Sequence, residues 1–153
     1  DNIKKLEDSM LLLFTEKVRN AEQIEKQKLN KFKKNIKVFD ELKNFVDIAE
    51  SIVSSKNLDL SELGKLMHES WILKSSLHKS VSNKLIDNMY ESSIEKGCYG
   101  GKILGAGGGG FLFLIMPKYI KKKIKNLFKN YYCIDIKIHK SGSQIISKTS
   151  DYI

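Results

Sequence analysis

A run of glycines in the second half of the chain is the feature whose residue types could do chemistry. The stretch KILGAGGGGF, from Lys102 to Phe111, holds five of the chain's ten glycines, and the apolar residues of FLFLIM follow directly. Glycine inside a regular element costs about 0.5–1 kcal/mol relative to alanine, so the run needs a physical cause. A tight turn needs only two glycines, whereas four in succession indicate close approach to another group. The bare N–H groups of such a loop can form a concave nest for an anion.

Three known glycine motifs do not fit the residues around this run. The letters GAGGGG satisfy the Gly-x-Gly-x-x-Gly dinucleotide pattern, but that pattern needs a helix directly after the loop and the chain has a predicted strand there. A phosphate-binding loop of the Walker type needs Gly-Lys-Ser/Thr, and here Ile103 follows Gly101-Lys102. The letters GGFLFLI resemble the aromatic strand of an RNA-recognition domain, yet a second aromatic strand is lacking. A glycine hairpin between two strands remains, with a ligand-free tight turn as the alternative.

The elements that must position this loop follow from hydrophobic spacing. Strands are predicted at 9–15, on both sides of the glycines and at 132–138, and SGSQIIS is predicted as a turn and a last short strand. In the strand at 132–138 one face is predicted to be half-buried, namely that of Tyr132, Ile134, Ile136 and Ile138. Helices are predicted at 36–53, 60–77, 85–94 and from Pro117 to Asn130, with a weaker helical stripe through 18–28. Asp59 and Glu62 resemble a capping box before the second of these helices, Gly97 is predicted to stop the third, and Trp71 is predicted to be a core residue. This order predicts a single α+β domain over 1–153, with an antiparallel sheet and helices packed on one side of it.

Composition limits the partners that the chain can have. The formal net charge is +9, but Arg19 is the only arginine, and nucleic-acid interfaces depend on arginine. We therefore expect solvated lysine faces and no nucleic-acid partner. The chain has no apolar run of about 18 residues and no signal peptide, so no membrane partner is expected. Cys98 and Cys133 match no metal spacing, which predicts free thiols in the cytoplasm, and the three histidines are interpreted as incidental.

The glycine run and its surroundings resemble a known family. The stretch GGKILGAGGGGFLFLI is similar to the third signature motif of the GHMP small-molecule kinases, which include galactokinase, homoserine kinase, mevalonate kinase and phosphomevalonate kinase. The preceding stretch LMHESWILKSSLHKSVSNKLIDNMYESSIEKGCY resembles the branch that phosphorylates D-glycero-D-manno-heptose 7-phosphate at its anomeric oxygen. Similarity continues through LLLFTEKVRNA and GSQII. Glu16, Val18 and His78 stand where that branch has Gly, Thr and Ser.

The resemblance implies a ferredoxin-like GHMP kinase C-terminal domain with extra helices. It implies ATP and Mg²⁺ as cofactors, bound mainly by an N-terminal domain, because no GLGSS-like phosphate loop occurs here. No catalytic residue is expected in this chain, since the base belongs to that other domain. The expected partners are a phosphorylated sugar and the protein's own N-terminal kinase domain, and a homodimer is left open.

The same resemblance assigns site residues one by one. The phosphate- and substrate-facing loop is expected to be Gly105, Ala106, Gly107, Gly108, Gly109 and Gly110. The expected substrate contacts are Arg19, which can bind the 7-phosphate through its planar guanidinium, and Lys74, Ser80 and Ser82.

Alternatives stay open at this stage. Arg19 could pair with a surface glutamate, Lys74 could be solvated, and Ser82 could simply cap a helix. The whole chain could belong to another GHMP kinase or be a basic, non-enzymatic α+β binding module. The coding sequence upstream of Asp1 discriminates between a kinase and a module, because a kinase requires a preceding domain with a Gly-Ser-rich phosphate loop.

Overall fold

The protein is described by a computed structural model that covers residues 2–16, 32–139 and 141–144. The helices of these residues are α1 Asn2–Ser9, α2 Phe32–Ser54, α3 Leu60–Ser76, α4 Lys84–Glu95 and α5 Lys118–Leu127. The strands are β1 Met10–Phe14, β2 Gly100–Ile103, β3 Phe111–Ile115 and β4 Cys133–Asp135. The predicted helical stripe through 18–28 lies outside the described residues. No helix of the described ranges is long and apolar enough to cross a bilayer.

The four strands form one antiparallel sheet in the order β2-β3-β1-β4. The hairpin β2–β3 pairs Lys102 with Phe113, and β1 pairs with β3 so that Leu12 lies opposite Phe113. Helices α2, α3 and α4 connect β1 to β2, and α5 connects β3 to the edge strand β4. The predicted α+β class with an antiparallel sheet is therefore confirmed.

One face of the sheet carries the main hydrophobic core. Because strand side chains alternate between faces, Leu11 and Leu13 point to the same side as Leu112 and Leu114, and all four have no exposed surface. These leucines pack against apolar side chains of the helices. The helical side chains of this core are Trp71, Ile86, Met89, Tyr90, Ile120 and Ile124. Trp71, which the sequence predicts as a core residue, is 3% exposed.

A second cluster lies on the opposite face at one end of the sheet. Met10 and Ile115 pack there against α1, α2 and α3 through Leu6, Ile52 and Leu63. Helix α3 crosses β2 so closely that a side chain on Gly100 would run into the backbone carbonyl of Gly64. This close crossing places the last turn of α3 beside the end of β2, where the loop that contains the glycine run begins.

The ends of the helices are set by local hydrogen bonds, mostly as predicted. Asp59 caps α3 by accepting hydrogen bonds from the N–H groups of Ser61 and Glu62, as the predicted capping residue should. Gly97 follows α4 with a positive φ of 102°, which confirms the predicted glycine stop. Pro117 is not the first helical residue as predicted but the cap residue before α5, with a ψ of 140°.

Three further expectations differ from the structure. The face of β4 predicted as half-buried is turned outward, since Tyr132 is 73% and Ile134 44% exposed, while the intervening Cys133 packs against the core. Helix α1 was not expected, because eight residues give too short a periodic signal. Of SGSQIIS, which is predicted as a turn and a last short strand, residues 141–144 are not in a strand, and the rest of that segment lies outside the described residues.

Candidate functional site

The glycine run forms the loop between β2 and β3, at one end of the sheet. The N–H of Leu104 donates to the carbonyl of Phe111 at 2.9 Å and closes the hairpin where the two strands meet the loop. A strand follows the loop, as the sequence predicts, so the dinucleotide pattern is excluded on structural grounds. Residues Leu104 to Gly110 form this loop and are called the glycine loop.

Four of these glycines have backbone conformations that side chains disfavour. The φ angles are 66° at Gly105, 102° at Gly107, 73° at Gly108 and 86° at Gly110. At Gly107 space is missing as well, because an added Cβ would lie 2.7 Å from the carbonyl oxygen of Val81. Glycine is therefore required here for two reasons. The φ angles are positive, which residues with side chains rarely adopt, and the backbone of Val81 comes too close to Gly107 for a side chain to fit.

The group that Gly107 approaches is the connection between α3 and α4, residues 77–83. The N–H of Gly108 donates to the carbonyl of Val81 at 2.7 Å. Asn83 caps α4 with its side-chain oxygen, which accepts from two backbone N–H groups, and its amide nitrogen donates to the carbonyl of Gly108 at 3.2 Å. The α3–α4 connection and the glycine loop therefore form one bonded unit.

Strand β1 holds the other end of the loop. Both the backbone N–H and the hydroxyl of Thr15 donate to the carbonyl of Gly110, each at 2.9 Å. Thr15 has no exposed surface, so this pair of hydrogen bonds is shielded from water. The end of β1 is thereby placed beside the loop.

Lys74 holds the beginning of the loop. From the last turn of α3 its ammonium donates to the carbonyl oxygens of Ile103 and Gly105, both at 2.7 Å. Charge-assisted hydrogen bonds of this kind are stronger than neutral ones. The alternative that Lys74 is merely solvated is wrong, and its expected contact with a substrate stays a prediction.

The two serines predicted to contact substrate lie in the α3–α4 connection, on either side of Val81. The hydroxyl of Ser80 lies 2.8 Å from Nδ1 of His78. The hydroxyl of Ser82 donates to the carboxylate of Asp87 in the first turn of α4. Asn83 and not Ser82 is the cap of α4, so the alternative that Ser82 serves as that cap is wrong. Arg19 lies outside the described residues.

The comparisons with known proteins agree with this geometry. The profile of the family described as "GHMP kinases C terminal" matches residues 47–133, which include α3, α4, the glycine loop and α5. The chain belongs to the GHMP kinase C-terminal family.

Individual proteins to which this chain is similar are named as kinases. The chain is 31% identical over 142 residues to D-glycero-alpha-D-manno-heptose 7-phosphate kinase of Campylobacter jejuni, covering 90% of this chain and 41% of that protein. It is 28% identical over 140 residues to the bifunctional fucokinase/GDP-fucose pyrophosphorylase of Arabidopsis thaliana, covering 90% of this chain and 13% of the relative. The chain thus spans less than half the length of these relatives.

A solved structure supports the fold. Mevalonate kinase of Methanococcus jannaschii superposes with a TM-score of 0.68 over 88% of this chain and 41% of that one, at 22% identity. At this identity the likeness concerns the fold alone.

Lys102 lies in a different environment, although it is next to the glycine loop in sequence. It lines an open apolar groove of about 500 Å³ together with Leu12, Met67 and Phe113, on the sheet face opposite to α4 and α5. Burial lowers the pKa of Lys102 from its ordinary value, and its ammonium lies 3.5 Å from the hydroxyl of Ser70. The loop is held by Lys74 and not by this nearer lysine.

Sequence reasoning about the GHMP kinase domain missed part of what holds the loop. Thr15 and Asn83 were in the matched stretches but were not assigned to the site. Asn83 carried a usable signal, because asparagine before an apolar helical pattern favours an N-cap. The approach of Val81 to Gly107 had no signal, since contacts between distant backbone segments are not encoded in local spacing.

Proposed function

We propose that this chain is the C-terminal, substrate-side domain of an ATP-dependent cytoplasmic sugar kinase. The proposed reaction is phosphorylation of the anomeric hydroxyl of D-glycero-D-manno-heptose 7-phosphate. The observation that carries the proposal is the glycine loop, whose bare backbone is held at one end of the sheet by Thr15, Lys74 and Asn83. The 31% identity to a heptose 7-phosphate kinase supports the choice of sugar.

Phosphoryl transfer depends on positioning and on neutralising the charge that develops on the transferred group. A loop of six residues from Gly105 to Gly110 with one methyl group among them lets another backbone and a phosphate come close. Backbone N–H groups aimed at phosphate oxygens stabilise that charge without needing to reorganise. This chain is thus proposed to bind and orient the reactants, and any side chain larger than a methyl group between Gly105 and Gly110 would hold them apart.

The phosphate donor ATP and its Mg²⁺ are assigned to the remainder of the full-length kinase. Within the described ranges, no three or more His, Cys, Asp or Glu side chains are gathered as a metal site. The sequence also lacks a second glycine-rich phosphate loop. Mg²⁺ supplies neutralisation of the ATP phosphates when bound, and the general base belongs to the same remaining part of the protein.

Three side chains, those of Arg19, Ser80 and Ser82, are proposed to contact the sugar phosphate, and a fourth, that of Lys74, is proposed to act from behind the loop. Arg19, which follows β1 in sequence, is assigned to the 7-phosphate because its forked guanidinium suits phosphate oxygens. Ser80 and Ser82 lie in the connection that bonds to the loop, where their hydroxyls can also meet sugar hydroxyls. Lys74 lies behind Gly105 and contributes positive charge there.

The alternative acceptor is that of another GHMP kinase, such as galactose or mevalonate. The specific observation in favour is the 28% identity to a bifunctional fucokinase/GDP-fucose pyrophosphorylase over 90% of this chain.

A substrate panel on the full-length protein tests the proposal. ADP release would be measured with ATP, Mg²⁺ and one acceptor at a time: heptose 7-phosphate, galactose, fucose or mevalonate. The proposal expects the highest kcat/KM with heptose 7-phosphate and a product phosphorylated at the anomeric position, as read by phosphorus NMR. A higher kcat/KM with galactose, fucose or mevalonate would show that the acceptor is that of another GHMP kinase. Absence of turnover with all four compounds would reject all the proposed acceptors.

A further inference from the structure

Three carbonyl groups at the glycine loop are fixed by two side chains that come from outside it. The ammonium of Lys74 bonds the carbonyl oxygens of Ile103 and Gly105 at 2.7 Å each. The side-chain amide of Asn83 bonds the carbonyl oxygen of Gly108 at 3.2 Å. Lys74 lies in the last turn of α3 and Asn83 is the N-cap of α4, so the two side chains come from opposite ends of the connection between these helices.

These contacts also decide where the following N–H groups point. In a trans peptide the carbonyl of one residue and the N–H of the next point in opposite directions. No cis peptide occurs among the described residues. The carbonyl of Gly105 faces Lys74, so the N–H of Ala106 faces away from Lys74. By the same geometry, the N–H of Gly109 faces away from the amide of Asn83.

Without these contacts, a glycine-rich loop would not keep its peptide planes in this orientation. Gly105 and Gly108 have φ angles of 66° and 73°, and glycine populates positive and negative φ about equally. A peptide plane beside a glycine can therefore rotate at little cost, which would exchange the directions of the carbonyl and the N–H. A hydrogen bond to the carbonyl from a fixed side chain opposes that rotation.

We propose that Lys74 and Asn83 are positioning residues that fix two peptide planes of the glycine loop, so that the N–H groups of Ala106 and Gly109 are presented to a phosphoryl group. This rests on the proposed kinase function, and it assigns Lys74 to the protein's own backbone and not to the sugar. The ammonium of Lys74, on the carbonyl side of the Gly105 peptide, adds positive potential behind the donor.

Two variants of the full-length protein isolate the two contacts. Lys74→Met keeps the length of the side chain and removes both charge-assisted hydrogen bonds. Asn83→Ser keeps a side chain that caps helices about as well as asparagine but has no amide to give to Gly108. Lys65→Met on α3 and Asn88→Ser on α4 are the matched controls, because both residues are exposed on the same two helices.

Two measurements are made on each variant. The first is hydrogen exchange of two loop amides, those of Leu104 and Gly108, which donate to the carbonyls of Phe111 and Val81, with the buried strand β1 as a reference for overall folding. The second is the kcat and KM for the phosphorylated acceptor. Loss of these bonds is expected to speed exchange of the loop amides about tenfold, while β1 and both control variants stay at the wild-type rate. Because the N–H groups act on charge that develops during transfer, kcat should fall about tenfold with little change in KM.

Other results overturn the inference. Wild-type exchange of the loop amides in Lys74→Met and Asn83→Ser would mean that neither side chain fixes the loop. A selective rise in the acceptor's KM for Lys74→Met, with unchanged kcat and unchanged loop exchange, would place Lys74 on the substrate. If the wild-type protein transfers phosphate to no acceptor of the panel, the proposed function fails, and the exchange rates alone still decide whether Lys74 and Asn83 hold the loop.

Discussion

One side chain, that of Asn83, both begins helix α4 and holds Gly108 of the glycine loop. Its oxygen accepts hydrogen bonds from the N–H groups of Leu85 and Ile86, and its nitrogen donates to the carbonyl of Gly108 at 3.2 Å. Because both contacts use one side-chain amide, a shift of the helix start is transmitted to the loop. The helix and the candidate site are therefore energetically linked through Asn83.

This link predicts different costs for two substitutions at the same position. Asn83→Ala removes the cap and the contact to Gly108, and we expect it to lower the free energy of unfolding by about 2 kcal/mol. Asn83→Ser keeps a cap, so we expect a loss of only about 1 kcal/mol. Urea denaturation followed by circular dichroism measures both. A free energy of unfolding equal to wild type in Asn83→Ser would mean that the contact to Gly108 contributes nothing to stability, and equal losses in the two variants would mean that the cap contributes nothing.

A second prediction separates two reasons for glycine in the loop. Gly107 has a φ of 102°, and a Cβ there would meet the backbone of Val81, whereas Gly105 has a φ of 66° and open space around it. Gly105→Ala should cost about 1 kcal/mol for its left-handed conformation alone. Gly107→Ala should cost about 3 kcal/mol or more, because the connection must also move. The two variants are compared by thermal unfolding, and equal losses would contradict the close approach to Val81.

The sequence predicted the parts of this site that depend on local pattern. Short apolar runs were enough to predict β1 and β3, helical spacing was enough for the helices from α2 to α5, and the glycine run was correctly placed between two strands. The outward face of β4 could not be predicted, because at a sheet edge an alternating pattern does not indicate which side meets the core. The same holds for the bond from Asn83 to Gly108, since these residues are 25 positions apart and meet only through the tertiary fold.

A third prediction concerns activity of the full-length kinase. Gly108 is buried with a φ of 73°, so a β-branched valine there would distort the loop. We expect Gly108→Val to lower kcat by about a hundredfold or more, as small misplacements of binding groups do, while the sheet stays folded. Gly142→Val is the matched control, because a side chain at Gly142 would meet nothing within 4 Å. Full kinase activity in Gly108→Val, measured by ADP release, would contradict the role of the loop.

A fourth prediction concerns acid and the packing of α1 on α5. Hydrogen bonds from Lys118 and then Lys4 lower the pKa of Asp8 from 3.8 to about 2. Because the folded-state value is the lower one, the stabilisation by this carboxylate is complete above about pH 4 and is lost as the pH falls toward 2. The difference in melting temperature between wild type and Asp8→Asn should therefore shrink over this range. Addition of 1 M NaCl at pH 6 should also reduce it, since exposed ion pairs are screened.

The same acid titration can also contradict the proposed stabilising role of Asp8. Other carboxylates with lowered pKa values, such as Glu7 and Asp135, make wild type and variant alike less stable in acid. Only the difference between the two proteins reports on Asp8. A difference in melting temperature that is constant from pH 6 to pH 2 would mean that the ionised carboxylate of Asp8 does not stabilise the contact between α1 and α5.

The last prediction concerns the 153-residue chain by itself. Its sequence has one glycine-rich run, and that run forms a loop between β2 and β3 and not the start of a helix that could bind the phosphates of ATP. We therefore expect no turnover with ATP and heptose 7-phosphate, and at most weak binding of ATP. A coupled assay for ADP, with the full-length protein as the positive control, measures the first, and isothermal titration calorimetry measures the second. Turnover by the isolated chain would mean that the catalytic base and the ATP site lie within these residues. That result would contradict the proposal that both belong to the remainder of the full-length kinase.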